Sequence, residues 1–162
     1  MTVKNAFKGG SDWADGDILY AADLNDTFNA FYTKAYGDTT GATVNNTSEV
    51  DLLSITVSQN DLGSSFTAMI HGAVEVVWNG QNKTVTLRVK VGGSTVWTSA
   101  AIGEINGSSD TNTIEVPVNW YATGLDSTAG DIEIKITGQC STSSGISATG
   151  DTLQVFAINN NS

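Results

Sequence analysis

Few side chains in this sequence have the chemistry of a catalytic or metal site. His71 is the single histidine and Cys140 the single cysteine. A nucleophilic triad would have to use His71, but this residue lies in an apolar run at residues 69–73, which favours a hydrogen-bonded structural histidine. Cys140 cannot form an intrachain disulfide and is interpreted as a small buried residue. The sequence contains no glycine-rich phosphate loop and no His/Cys cluster for zinc.

The carboxylates do not form a catalytic or metal-binding pattern either. Glu115 and Glu133 fall on the polar faces of predicted strands, where a solvated surface explains them. Asp12, Asp15 and Asp17 lie close together in "DWADGD", but this stretch lacks the alternating oxygen ligands and terminal Glu of an EF-hand loop. We therefore expect a turn at residues 12–17, no metal, no cofactor and no enzymatic activity.

Charge excludes two classes of partner. The 162 residues include 7 Lys and Arg against 17 Asp and Glu, a formal net charge of −10. Nucleic-acid binding rests on a basic surface that neutralises phosphates, and an anionic membrane repels an acidic chain. No apolar run has the length of a signal peptide or a membrane span. We expect synthesis in a bacterial cytoplasm and binding to neither nucleic acid nor membrane.

The elements that position these residues change character along the chain. Leu24, Phe28, Phe31 and Ala35 follow the i, i+4, i+7, i+11 spacing of one helix face, which predicts a helix over residues 22–36 that ends before Gly37. Isolated helices shorter than about 12–15 residues are marginal in water, so this apolar stripe needs a partner: the β-domain, a symmetry mate or another protein. Residues 38–49 are small and polar, and they predict a linker.

From residue 50 the period becomes two, which predicts strands at 50–57, 66–78, 84–91, 95–100, 113–120, 131–136 and 152–158. We expect an antiparallel, jelly-roll-like β-sandwich over residues 50–158, preceded by the helical arm and followed by a polar tail at 159–162. Pro117 predicts an edge or bulged strand. The residues expected to point inward from the three most regular strands are Val85, Leu87, Val89, Val91, Ile114, Val116, Val118, Trp120, Ile132, Ile134 and Ile136.

Two strands carry apolar residues on both faces. The strand at 66–78 has a second face that mixes apolar residues with His71 and Glu75, and the last strand sets Phe156 and Ile158 opposite Leu153 and Val155. A half-apolar face is covered either by an oligomer contact or by a second layer of the same domain. The predicted oligomer-contact residues are Met69, Ala73, Val77, Phe156 and Ile158.

The tryptophans depend on register. Trp78 and Trp120 end strands on the apolar face and are predicted to lie in the core. A two-residue turn at Gly92 and Gly93 would pair Val89 with Val96 and place Trp97 outside, whereas a three-residue loop would turn Trp97 inward. Gly-Gly favours the two-residue turn. An exposed Trp97 is a candidate for stacking on a sugar ring, and a cation–π contact with Arg88 is the alternative.

The stretch "DGDILYAADLNDTFNAFY" resembles a segment common near the N-termini of tailed-phage virion proteins, particularly short fibres, tail-fibre-like proteins and head-decoration proteins. The matching positions are Gly16, Asp17, Leu19, Ala21, Ala22, Asp23, Leu24, Asn25 and Phe28. The sequence departs from the pattern at Tyr20, where Thr is usual as the helix cap. The resemblance covers roughly residues 13–32.

The resemblance implies a non-enzymatic structural protein that is located on the virion and takes part in host attachment. Residues 1–37 would be an attachment arm that binds other virion proteins of the capsid, neck or tail, and the sandwich would project outward as a homotrimer. The expected arm contacts are Trp13, Leu19, Leu24, Phe28 and Phe31. The alternative is a carbohydrate-binding module for host surface glycan, with Trp97 as its candidate residue. A small hydrolase is the third reading, for which the sequence supplies no coherent catalytic set.

Overall fold

Ten strands make up the part of the chain that the computed structural model describes, residues 33–104 and 111–160. In chain order they are β1 (Thr33–Asp38), β2 (Thr43–Val44), β3 (Val50–Val57), β4 (Phe66–Asn79), β5 (Lys83–Val91), β6 (Ser94–Thr98), β7 (Ile102–Glu104), β8 (Thr111–Leu125), β9 (Ile132–Cys140) and β10 (Ile146–Asn159). The predicted all-β class and the seven predicted strands are confirmed.

The strands form two antiparallel sheets packed face to face. The first sheet has the order β1-β10-β4-β8, with β2 also on β10, and the second has the order β3-β9-β5-β6, with β7 also on β5. Counting β1 with β2 and β6 with β7 as one strand each, the orders become 1-8-3-6 and 2-7-4-5. This alternation between sheets is that of an eight-stranded jelly roll.

The core lies between the sheets and follows the predicted alternation in β5 and β9, whereas Ile114 of β8 was expected inside but is 39% exposed. The four β5 residues expected inside, Val85 to Val91 in steps of two, are buried, as are Ile134 and Ile136 of β9. Pro117 is confirmed on an edge strand, because among the described strands β8 has only β4 as a neighbour. A proline has no backbone N–H to donate, so on an edge strand it makes pairing with another chain less favourable.

The predicted helix over residues 22–36 is wrong at its C-terminal end. Residues 33–36 belong to β1, which pairs with β10 from Thr33 opposite Ile158 to Asp38 opposite Leu153; residues 22–32 lie outside the described part. Tertiary contacts favour the strand: Tyr36 packs against the core and its hydroxyl donates to Oδ2 of Asp61 at 2.6 Å, while Lys34 forms an ion pair with the same carboxylate. Lys34 holds the pKa of Asp61 below its ordinary value, whereas burial raises the pKa of Tyr36.

The predicted linker at 38–49 is likewise part of the sandwich. β2 lies within it and pairs with β10, and Val44 is fully buried. Glu49 forms ion pairs with Lys90 and Arg88 of the second sheet. The attachment role expected of residues 1–37 stays a prediction.

Two tryptophans differ from expectation. Gly92 and Gly93 do form the two-residue turn, with φ of 56° and 82°, as a type I′ hairpin requires. However, an irregularity in β6 places Val89 opposite Trp97 rather than Val96, so Trp97 is half-buried and packs against the core instead of lying outside with Arg88. Trp120 was expected inside but is exposed, because it lies on the edge strand β8.

Candidate interaction surface

The outer face of the first sheet carries the chemically distinctive residues of the described chain. The strand register brings residues of β10, β4 and β8 side by side on this face. Met69 lies between Phe156 and Tyr121, and His71 lies between Gln154 and Asn119. Further along, Glu75 lies between Thr149 and Glu115. The face therefore has one end rich in apolar and aromatic residues and one end rich in carboxylates.

The apolar end consists of Met69, Phe156 and Ile158, and Tyr121 of β8 borders it. Met69 and Ile158 are each 40% exposed and Tyr121 is 67% exposed, while Phe156 is half-buried. Large apolar side chains grouped on one face of a sheet mark an interaction site more often than isolated ones do. Ile158 pairs with Thr33, so the predicted attachment arm joins the sandwich at this end.

An aromatic depression opens on the β8 side of the apolar end. It has a volume of about 350 Å³ and is lined by Met69, His71, Asn119, Trp120 and Tyr121. The rings of Trp120 and Tyr121 are nearly parallel, at 19°, with centroids 6.1 Å apart. Nδ1 of His71 lies 2.9 Å from Oδ1 of Asn119, and the His71 ring meets the Phe156 ring edge-on at 6.0 Å. The predicted hydrogen bond of His71 is thus confirmed, although the ring is exposed.

The acidic end has Glu75 directly opposite Glu115. A second depression of about 260 Å³ lies here, lined by both glutamates, Asp151, Thr149 and Gly150. Within residues 33–104 and 111–160, no group of three or more His, Cys, Asp or Glu residues is arranged to hold a metal ion. Like charges directly opposite on neighbouring strands disfavour burial of this end against another acidic surface.

The outer face of the second sheet is polar and internally paired. Glu49 accepts hydrogen bonds from Lys90 Nζ at 2.5 Å and from Thr137 Oγ1 at 2.6 Å. These two bonds, and that of Lys90 most, keep the pKa of the Glu49 carboxyl below its ordinary value. Lys135 bridges Asp51 and Glu133 at 2.9 and 3.0 Å. This face has the character of a solvated surface. Among the described residues, the exposed large apolar side chains lie on the first sheet.

The structure brings together three of the five predicted oligomer-contact residues. Met69, Phe156 and Ile158 lie at the apolar end, while Ala73 and Val77 lie on the same face toward the acidic end and are half-buried. Trp97 lies on β6 of the second sheet. The predicted arm contacts Trp13, Leu19, Leu24, Phe28 and Phe31 fall outside the described residues. Cys140 is 2% exposed, as expected of a buried residue.

The sequence reasoning missed Trp120 and Tyr121 as a surface pair. The prediction ended this strand at residue 120, whereas β8 continues to Leu125. Extending the alternation by one residue would have placed Tyr121 on the same face as Glu115 and Pro117. The edge position of β8, which exposes Trp120, follows only from the order of the strands in the sheet.

Comparisons with known proteins identify the fold. No family model and no curated protein matches the chain. Among solved structures, the infectious bursal disease virus Gt strain is similar over 78% of this chain at 15% identity, with a TM-score of 0.51. The Gx strain of that virus is similar over 80% at 16% identity and a TM-score of 0.50. Dimeric latent PorU from Porphyromonas gingivalis is similar over 80% at 9% identity and a TM-score of 0.53.

These similarities, all at low identity, establish a shared β-sandwich fold. The chain spans 33% of the length of each viral protein and 13% of PorU. In the described part of the chain, no helix is long and apolar enough to cross a membrane. The chain is thus a jelly-roll sandwich of a kind found inside larger proteins, two of them from a virus.

Proposed function

We propose that this chain is a non-enzymatic structural protein of a tailed-phage virion, of the short-fibre or head-decoration kind. The residues of the predicted arm that precede β1 attach it to other virion proteins, and the sandwich is displayed as a homotrimer. The observation that carries the proposal is the uncovered apolar end, which lies where the residues of the predicted arm enter the first sheet. The jelly-roll fold shared with structures of a virus, and the phage-like N-terminal segment, support the same reading.

The apolar end supplies the contact between copies. Met69, Phe156 and Ile158 are adjacent across β4 and β10, so one apolar surface forms from residues distant in sequence. Burying a large apolar side chain contributes about 1.5–3 kcal/mol. The acidic end stays outside this contact, because packing Glu75 and Glu115 against their symmetry copies would bring like charges together.

The test compares two isoleucines of equal exposure. Ile158 is 40% exposed at the apolar end, and Ile114 is 39% exposed on β8 away from it. We expect Ile158→Asp to lower the mass measured by light scattering from that of a trimer to that of a monomer, while Ile114→Asp leaves it unchanged. A single species near 16.9 kDa for the unmodified chain would refute a stable trimer in solution.

The arm is tested separately on particles. We expect Phe28→Ala with Phe31→Ala to reduce incorporation into virions while leaving the circular dichroism of the sandwich unchanged. Normal incorporation of this double variant would contradict an attachment role for the arm.

Host-glycan adhesion is the second candidate function. The specific observation in its favour is the aromatic depression, where exposed Trp120 and Tyr121 lie beside the hydrogen-bonded pair His71 and Asn119. Adhesion and virion assembly are compatible roles for one displayed domain. Trp97, the residue expected from the sequence to bind glycan, is half-buried and packs against the core.

A further inference from the structure

We infer that the aromatic depression of Trp120, Tyr121, His71, Asn119 and Met69 is a binding site for a neutral saccharide. The inference rests on the second candidate function, host-glycan adhesion, and places it at a site other than Trp97. Binding sites for small molecules combine apolar and aromatic walls with a few polar groups that fix orientation. The depression has both components within about 350 Å³.

The aromatic component suits the carbon face of a sugar ring. A pyranose presents C–H groups on its faces and hydroxyls around its rim, so an exposed aromatic ring binds the face while leaving the rim free. Trp120 and Tyr121 offer two such rings in nearly parallel planes, at 19°. Their exposure, 36% and 67%, leaves ring surface available to a ligand. Both side chains have only two rotatable bonds to immobilise on binding, which limits the loss of conformational entropy.

The polar component suits the hydroxyl rim. With Oδ1 of Asn119 accepting from Nδ1 of His71, the amide Nδ2 of Asn119 remains a donor and Nε2 of His71 an acceptor. Neither nitrogen makes a hydrogen bond to any other residue in the described ranges 33–104 and 111–160. The contact of His71 with Phe156 holds the imidazole ring in place. One fixed donor beside one fixed acceptor matches two neighbouring hydroxyls, each of which can donate and accept.

Charge selects a neutral ligand. No Lys or Arg lines the depression. Glu75 and Glu115 lie further along the same outer face, and the whole chain has a net charge of −10. An anionic saccharide such as a sialylated or uronic-acid chain would find no cation to pair with and a repulsive field around it.

The saccharide site and the contact between copies occupy different sides of β4. Trp120, Tyr121 and Asn119 lie on β8, whereas Phe156 and Ile158 lie on β10. Met69 of β4 lies between them and is left unchanged in the test. Substitutions on β8 can therefore address saccharide binding without removing the residues proposed to hold the copies together.

The experiment uses the full chain. An array of immobilised neutral and sialylated glycans is screened first, and cellohexaose, xylohexaose, mannohexaose and hexagalacturonic acid are titrated by calorimetry at millimolar concentrations. We expect a neutral glycan to bind and the acidic ones not to. Trp120→Ala and Tyr121→Ala should each weaken binding about tenfold or more, and Asn119→Ala should weaken it through the lost donor. Ile114→Ala, an apolar deletion on the same strand outside the depression, should leave binding unchanged.

The molar mass of each variant is also measured by light scattering. Absence of binding to every neutral glycan of the array and titration overturns the inference, as does binding that survives both aromatic substitutions. A fall in oligomer mass in Trp120→Ala or Tyr121→Ala identifies the depression as a contact between copies and also overturns it. A monomeric chain that binds through Trp120 and Tyr121 would sustain the saccharide site while contradicting the trimer.

Discussion

Val44 decides whether residues 38–49 are a linker or part of the sandwich. The valine is fully buried and pairs with Ala148 in the first sheet. A methyl group on Gly138 in the second sheet would lie 3.0 Å from Cγ1 of Val44, so the side chain spans the space between the sheets. A true linker residue would make neither contact.

Val44→Ala removes two buried carbons. Their transfer from the core costs about 1.6 kcal/mol at ~0.8 kcal/mol each, and the cavity left behind adds about 1 kcal/mol. We therefore expect the free energy of unfolding to fall by about 2–3 kcal/mol. For a domain of this size the melting temperature should fall by about 10 °C.

The assay is thermal and urea unfolding of the full chain, at one protein concentration because oligomers melt at concentration-dependent temperatures. The matched control is Thr43→Ala, which changes the neighbouring exposed residue and removes only its contact with Oγ1 of Thr149 at 2.9 Å. We expect this control to change stability by about 0.5 kcal/mol. Equal stability of the two variants would refute the packing role of β2. By the same reasoning, a fragment of residues 33–162 should unfold cooperatively, whereas residues 46–162, which lack β1 and β2, should not.

Three further predictions concern the core and its ion pairs. Gly138→Ala should destabilise the sandwich in urea unfolding, because the added Cβ would lie 2.9 Å from Leu52 Cδ1; Gly130→Ala, whose Cβ meets nothing within 4 Å, is the control. Lys34 holds the pKa of Asp61 below its ordinary value of 3.8, so the contribution of Asp61 to folding stability is present above about pH 5 and is lost as pH falls through the folded pKa. Asp61→Asn should therefore reduce the dependence of the free energy of unfolding on pH at acid pH. An unchanged pH dependence would contradict the pairing. Burial raises the pKa of the Cys140 thiol, so the native chain should resist iodoacetamide at pH 8 while the urea-unfolded chain reacts, with rapid native labelling as the contrary result.

The sequence determined the class of the fold because its signals are local. Alternation of period two in "TVTLRVKV" and "DIEIKI" follows directly from the pleat of a strand, and the buried faces of β5 and β9 agree with it. Gly92 and Gly93 specified their turn for a similar reason, since two adjacent positive φ angles favour glycine. Cys140 and Pro117 were placed correctly from the chemistry of one residue each.

Tertiary structure determined those features that depend on contacts with residues distant in the sequence. Ala35 continues the helical spacing that begins at Leu24, but residues 33–36 form a strand. Pairing with the 14-residue strand β10 and the bonds of Lys34 and Tyr36 to Asp61 favour the strand there. A single irregularity in β6 turns Trp97 toward the core, and no local sequence pattern predicts that irregularity. Trp120 and Tyr121 became a surface pair only because β8 ends its sheet. Strand order and register arise from contacts between residues far apart in the chain, and for that reason the sequence alone left them open.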